Sequence, residues 1–100
     1  MLAVIFEVLP TEEGKADYLE IAGELKQYLA GIPGFISIER FQSLVEPGKI
    51  LSLSFWEDEA AIRQWRNLEV HRAAQSRGRK QLFRDYRIRV ASVLRDYSLD

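Results

Sequence analysis

Residues 2–9, LAVIFEVL, form an unbroken apolar run rich in β-branched side chains, and Pro10 ends it. That length and that flank predict a strand buried on both faces. Alternation sends Leu2, Val4, Phe6 and Val8 to one side, and Ala3, Ile5, Glu7 and Leu9 to the other. Glu7 breaks the pattern. A carboxylate in mid-strand needs an arginine such as Arg87 or Arg89, another donor, or an open cleft, because burying it unpaired is costly. Past the proline, Thr11 is placed to cap a helix with Glu12 and Glu13 in its first turn, where the helix dipole favours negative charge. Tyr18, Ile21, Ala22, Leu25, Tyr28 and Leu29 recur at three- and four-residue spacing as one apolar stripe. The stripe stops near Gly31, and Pro33-Gly34 turns the chain.

Phe35–Leu44 alternates apolar and polar residues and predicts a second strand. Glu46-Pro47-Gly48-Lys49 places proline and glycine as a type II turn requires. Ile50–Trp56 returns as the third strand, with Leu51, Leu53 and Phe55 on one face. Asp58 suits an N-cap, Glu59 suits a first turn, and Ile62 and Trp65 point inward from the helix that follows. Asn67 is expected to end or bend that helix. A second piece over 69–76 carries His71, Ala74 and Gln75, Gly78 breaks it, and Lys80–Phe83 reads as one further turn. Tyr86–Tyr97 alternates strictly and predicts a long last strand.

The order is β-α-β-β-α-β, an α+β, ferredoxin-like arrangement with an antiparallel sheet. Two helices cover one face of the sheet. The other also carries Leu51, Leu53 and Phe55, an apolar patch that a second copy would close. The expectation is therefore a homodimer, a dimeric α+β barrel, with residues 1–100 as a single domain. One hundred residues is the size of one domain with a small core.

Composition removes whole classes of chemistry. With no cysteine and one histidine, thiolate nucleophiles, disulfides, Cys-based metal centres and multi-histidine metal sites within a chain are excluded. No basic segment precedes the first apolar run, and no apolar stretch nears the roughly 20 residues that span a bilayer. A cytoplasmic location is expected, with no membrane partner. Glycine-rich phosphate loops, G-x-S-x-G and HExxH are missing. The net charge of -1 conceals an asymmetry: ten of the fourteen basic residues lie between Arg63 and Arg95, against Glu69 and Asp85 alone. Such a cluster fits an anion-binding surface, solvated faces, or an interface between unlike-charged halves of two subunits. No RNP or helix-turn-helix pattern accompanies it, so no nucleic-acid partner is expected.

The candidate chemistry sits around WRNLEVHRAAQSRGR, residues 65–79. His71 is the candidate general base, since imidazole titrates near neutral pH; an ordinary half-buried helix histidine is the alternative. Trp65 reads as core or as a cleft wall. Arg72, Arg77 and Arg79 read as solvated, although arginine's planar fork suits an anionic group on a ligand.

FWEDEAAIRQWRNLEVHRAAQSRGR, preceded by PGFISIERFQS and followed by a strand ending in RDY, resembles the antibiotic biosynthesis monooxygenase-like domains over essentially the whole chain. The resemblance implies small dimeric α+β barrels and two kinds of activity. One is cofactor-independent oxygenation of aromatic phenols, in which the substrate's own anion meets dioxygen. The other is oxidative haem degradation, which uses an asparagine on the first strand, a tryptophan on the second helix, and a haem-ligating histidine ten residues later. Here Trp65 matches, but Glu7 stands for the asparagine, Gln75 for the histidine, and His71 lies a turn too early. The expectation is thus a monooxygenase acting on a small aromatic, phenolic or quinone-like compound with no cofactor or metal. His71 or Glu7 would remove the proton, Trp65 and Tyr28 would wall the cleft, and Gln75 or Arg72 would hold the oxyanion. The alternatives are a non-catalytic ligand-binding barrel and a haem protein with altered ligation.

Overall fold

The computed structural model describes the backbone of residues 1–75 and 83–99, and the side chains of 1–68 and 83–99. Among the described residues four strands and two helices follow in the expected order: β1 (Leu2–Pro10), α1 (Lys15–Leu29), β2 (Phe35–Gln42), β3 (Ile50–Trp56), α2 (Glu59–Gln75) and β4 (Phe83–Ser92). The sheet order is β2-β3-β1-β4, every neighbouring pair antiparallel. β1 is therefore central, and its alternation sets what each sheet face contains.

Val4, Phe6 and Val8 turn to the helices and are buried, as are Ile50, Ser52, Ser54 and Trp56 of β3. The two serines are small enough to let α1 and α2 approach the sheet. Tyr18 packs with Phe6, Val8 and Ile50, while Leu29, Ile32, Ala61, Ile62 and Trp65 close around Val4 and Trp56. Trp56 is fully buried, with edge-on contact to Phe35 and a tilted contact to Trp65 at 5.7 Å between centroids.

On the opposite face, the register aligns Phe41, Leu51, Glu7 and Arg87 in one row, and Glu39, Leu53, Ile5 and Arg89 in the next. Phe55 and Ala3 continue the apolar strip. No element of the described chain covers this face, and Leu51, Leu53, Phe55 and Ile5 remain half-buried. An apolar band thus runs between an acidic margin on β2 and a basic margin on β4.

Several boundaries differ from the sequence expectation. Thr11 does not cap α1. Its Oγ1 accepts the Gly14 N–H at 2.8 Å, which holds a turn over residues 12–14 and starts the helix one turn later, at Lys15. Tyr18, Ala22, Leu25 and Leu29 form the buried stripe, but Tyr28 is 40% exposed. The Glu46–Lys49 turn closes through Lys49 N–H to the Glu46 carbonyl at 2.8 Å. Gly48 lacks the left-handed backbone of a type II turn. α2 runs unbroken through Asn67 to Gln75, because tertiary packing of Ile62 and Trp65 outweighs asparagine's modest helix penalty. β2 ends at Gln42. β4 starts at Phe83, where Pro10 and Leu9 still offer pairing, and stops at Ser92, where β1 runs out. The expected turn from Lys80 otherwise lies outside the described residues.

Asp58 does cap α2, accepting the Ala61 N–H at 2.9 Å. Gly34 makes the same junction tight. It has φ 95°, its carbonyl accepts the Glu57 N–H at 2.8 Å, and an added Cβ would lie 3.0 Å from Ala61 Cβ. Gly34→Ala is expected to destabilise the fold by about 1–3 kcal/mol in chemical denaturation. Gly48→Ala, with no left-handed backbone and no close neighbour, should stay within about 0.5 kcal/mol. Equal effects at both positions would contradict this account of the junction.

Candidate functional site

Trp65 sits in the core at 3% exposure. Its neighbour across the core, Trp56, donates its indole N–H to Ser54 Oγ at 2.8 Å. The Trp65 indole N–H has no hydrogen-bond partner among the described residues. Two indoles in contact thus differ in one respect: one buried donor is satisfied and the other is not. An unmet buried donor carries a desolvation cost.

Above this core, α2 and the edge strand β4 leave a groove of about 260 Å³ lined by Glu59, Ile62, Arg63, Arg66, Asn67 and Val90. Helical spacing explains the lining: positions 59, 62, 63, 66 and 67 form one stripe along α2. Ile62 is shared between the groove and the cluster that contains Trp65. Val90 forms the β4 side and stays 48% exposed, because α1 and α2 lie chiefly over β1 and β3. Arg63, Arg66 and Asn67 were not singled out by motif. The signal that could have found them was their stripe on α2 beside the inward Ile62.

Glu7 lies on the other side of the sheet. Its Oε1 is 3.1 Å from Lys49 Nζ, and its Oε2 accepts from Arg89 Nη1 at 3.0 Å. Arg89 therefore supplies the expected arginine partner, Arg87 does not, and Lys49 joins from the strand turn. The hydrogen bond and then the charge of Lys49 chiefly hold the Glu7 carboxyl below its ordinary range; burial opposes them, and the charge and hydrogen bond of Arg89 add smaller lowering effects. A second groove of similar size, lined by Glu7, Lys49, Asp85, Tyr86 and Arg87 among others, opens beside this cluster.

The structure therefore does not bring Glu7 and Trp65 to one site within the chain, since β1 alternation puts the sheet between them. Tyr28, near the end of α1, is half-exposed outside the buried stripe and lines neither groove. His71, Arg72 and Gln75 stand on the last turns of α2; their side chains lie outside the described residues, as do Arg77 and Arg79. Haem does not fit what is described. The tryptophan is packed core, the first-strand residue faces the opposite side of the sheet, and a groove of about 260 Å³ beside Trp65 is too small to take a haem macrocycle. Among the described residues no group of three or more His, Cys, Asp or Glu is placed to hold a metal ion, and no helix is long and apolar enough to cross a membrane.

Comparison with known proteins adds what geometry alone does not. Residues 1–77 match the family model for antibiotic biosynthesis monooxygenase. A protein of Pyricularia oryzae named jasmonate monooxygenase is 47% identical over 93 residues, 93% of this chain and 43% of that relative. The chain thus spans less than half the length of that relative. Among solved structures, Rv0793 of Mycobacterium tuberculosis superposes with a TM-score of 0.78 at 17% identity, covering 97% of this chain and 98% of its own. SnoaB of Streptomyces nogalater, a cofactor-independent oxygenase, gives 0.73 at 12% identity, covering 95% and 94%. At such identities these two likenesses speak for the fold alone. The family match over three-quarters of the chain, on a ferredoxin-like sheet with its helix-side groove, assigns the protein to the antibiotic biosynthesis monooxygenase family.

Proposed function

We propose that the protein is a monooxygenase that oxidises a small phenolic or quinone-like molecule without metal or flavin, in the groove between α2 and β4. The observation that carries this is the 47% identity over 93 residues to a named monooxygenase. In such chemistry a base removes a proton from an activated carbon of the substrate, and the resulting carbanion passes electrons to dioxygen. Collapse of the peroxide adduct turns a CH₂ group into a carbonyl and releases the second oxygen atom as water. The substrate supplies every electron, so the protein contributes a base, a donor for the developing oxyanion, and a shaped apolar surface.

The residues divide these tasks unequally. Glu7 is a poor base, because two cations stabilise its ionised form and it lies across the sheet from the groove. Proton removal falls to His71, the one histidine of the chain. Trp65 lines neither groove and bears on the substrate only through Ile62, with which it shares a core cluster. Gln75 and Arg72, on the same stretch of α2 as His71, are the oxyanion donors. Tyr28 is left outside this arrangement.

The same reading includes a homodimer closed over the open sheet face. A two-fold rotation about an axis along the strands would lay the β2 margin of one copy, with Glu39, over the β4 margin of the other, with Arg87 and Arg89. Opposite charges would meet at both edges, and the strip of Ile5, Leu51, Leu53 and Phe55 would be removed from water. A cytoplasmic location accords with this picture.

Three measurements test these points. Oxygen consumption should accompany oxidation of members of a polyphenol and quinol panel, and His71→Ala should lower it by about 100-fold; full activity in that variant would remove the assigned base. Sedimentation should show two-chain particles that Leu53→Glu converts to single chains, and a well-folded wild-type monomer at micromolar concentration would sink the dimer. For Glu7 the sign follows from its lowered carboxyl. Its stabilising contribution is present above the ordinary glutamate range and is lost as pH falls through the depressed value in the folded state. Glu7→Gln should therefore melt earlier than wild type at neutral pH, and the gap should close in acid; a gap that widens in acid would contradict the pairing.

A further inference from the structure

We propose that the α2–β4 groove is a clamp for a single carboxylate, and that the ligand of this protein is a small organic acid with an apolar body. This rests on reading that groove as the substrate site and goes on to say which end of the ligand is charged. Arg63 and Arg66 stand three residues apart on one stripe of α2, and both line the groove. Neither makes an ion pair with any described residue. Two like charges at that spacing repel one another on a helix, so the arrangement carries a cost that a bound anion would remove. Asn67 adds an amide donor beside them. Guanidinium groups present paired N–H donors in a plane, the geometry a carboxylate accepts.

The remaining lining defines the rest of the ligand. Ile62 and Val90 offer an apolar floor and side, so the anionic end must be joined to a body that gains from leaving water. Glu59 lies one turn before Arg63 at the far end of the groove. Its charge disfavours a second anionic group there and selects a monoanion. Phosphate esters and dicarboxylates are thereby disfavoured, whereas a monocarboxylate with an alicyclic, aromatic or short alkyl body matches the wall. Jasmonate, which gives the Pyricularia relative its name, has this chemistry and serves as a probe.

The test compares jasmonate with its methyl ester on the intact protein by titration calorimetry. The two differ in the charge of one group and little in shape. The acid should bind about ten-fold or more tightly than the ester. Arg63→Gln and Arg66→Gln should each take away most of that advantage, weakening the acid far more than the ester, and raised salt should narrow it. Both arginines are exposed, so the variants are expected to melt as the wild type does. Equal affinity for acid and ester, an advantage that survives in the double variant, or no measurable binding of the acid would each overturn the clamp. The outcome separates from the oxygenase reading: oxidation of neutral phenols with no preference for acids removes the clamp alone, and acid-selective binding without oxygen uptake removes the oxygenase alone.

Discussion

The period of two along β1 is the constraint on which the other features depend. β1 is hydrogen-bonded on both sides, so its backbone cannot shift without breaking two ladders. A slip of one residue would exchange the faces: Glu7 would take the place beside Tyr18 and Ile50 now held by Phe6 and Val8, and Phe6 would meet Lys49 and Arg89. The cost of placing an unpaired carboxylate in that core locks the register. Once it is locked, the helix side must be filled by α1 and α2, and the open side must carry both an apolar strip and an ion-paired glutamate.

That constraint also explains which parts were legible in the sequence. The alternation of β1, the Tyr18, Ala22, Leu25 and Leu29 stripe of α1, the Asp58 cap and the inward Ile62 and Trp65 follow from local periodicity and capping, whereas Tyr28 is exposed and Ile5, Glu7 and Leu9 on the second face of β1 are half-buried where burial on both faces was expected. The misjudged places share a different cause. The end of β4 depends on where β1 stops offering partners, a fact about another strand. The continuity of α2 through Asn67 depends on the packing of the residues before it. The late start of α1 depends on which of two helix-entry geometries the Thr11 hydroxyl supports. Each is decided by something absent from the local window.

The candidate site was harder to read for the same reason. Residue type marked Glu7, Trp65 and His71 as candidates, and nothing in their spacing said that a sheet would separate the first two. Once Glu7 is held between Lys49 and Arg89, its place in the fold is that of a charge pinned under a prospective interface. The tryptophan pair shows the complementary case. Trp56 and Trp65 look alike in sequence, yet the serine two residues before Trp56 satisfies its N–H, and no described residue does so for Trp65. The distinction that matters for function lies in an oxygen atom, Ser54 Oγ, and where β3 points it.

The basic half of the chain resolves along the same line. A single run of arginines in the sequence is divided by the sheet into two groups with different surroundings. Arg87 and Arg89 fall on the open face, where Arg89 pairs with Glu7 and the margin of β4 faces whatever covers the apolar strip. Arg63 and Arg66 fall on the helix side, beside a groove whose other surfaces are Ile62 and Val90. Charges on the open face have an acid within the chain and another, Glu39, available from a second copy. Among the described residues those in the groove have neither: Glu59, the one acid lining it, forms no ion pair with them. A cation that can find its counter-charge in the fold serves stability or assembly. A pair left without one beside an apolar hollow is better explained by an anion that arrives from solution.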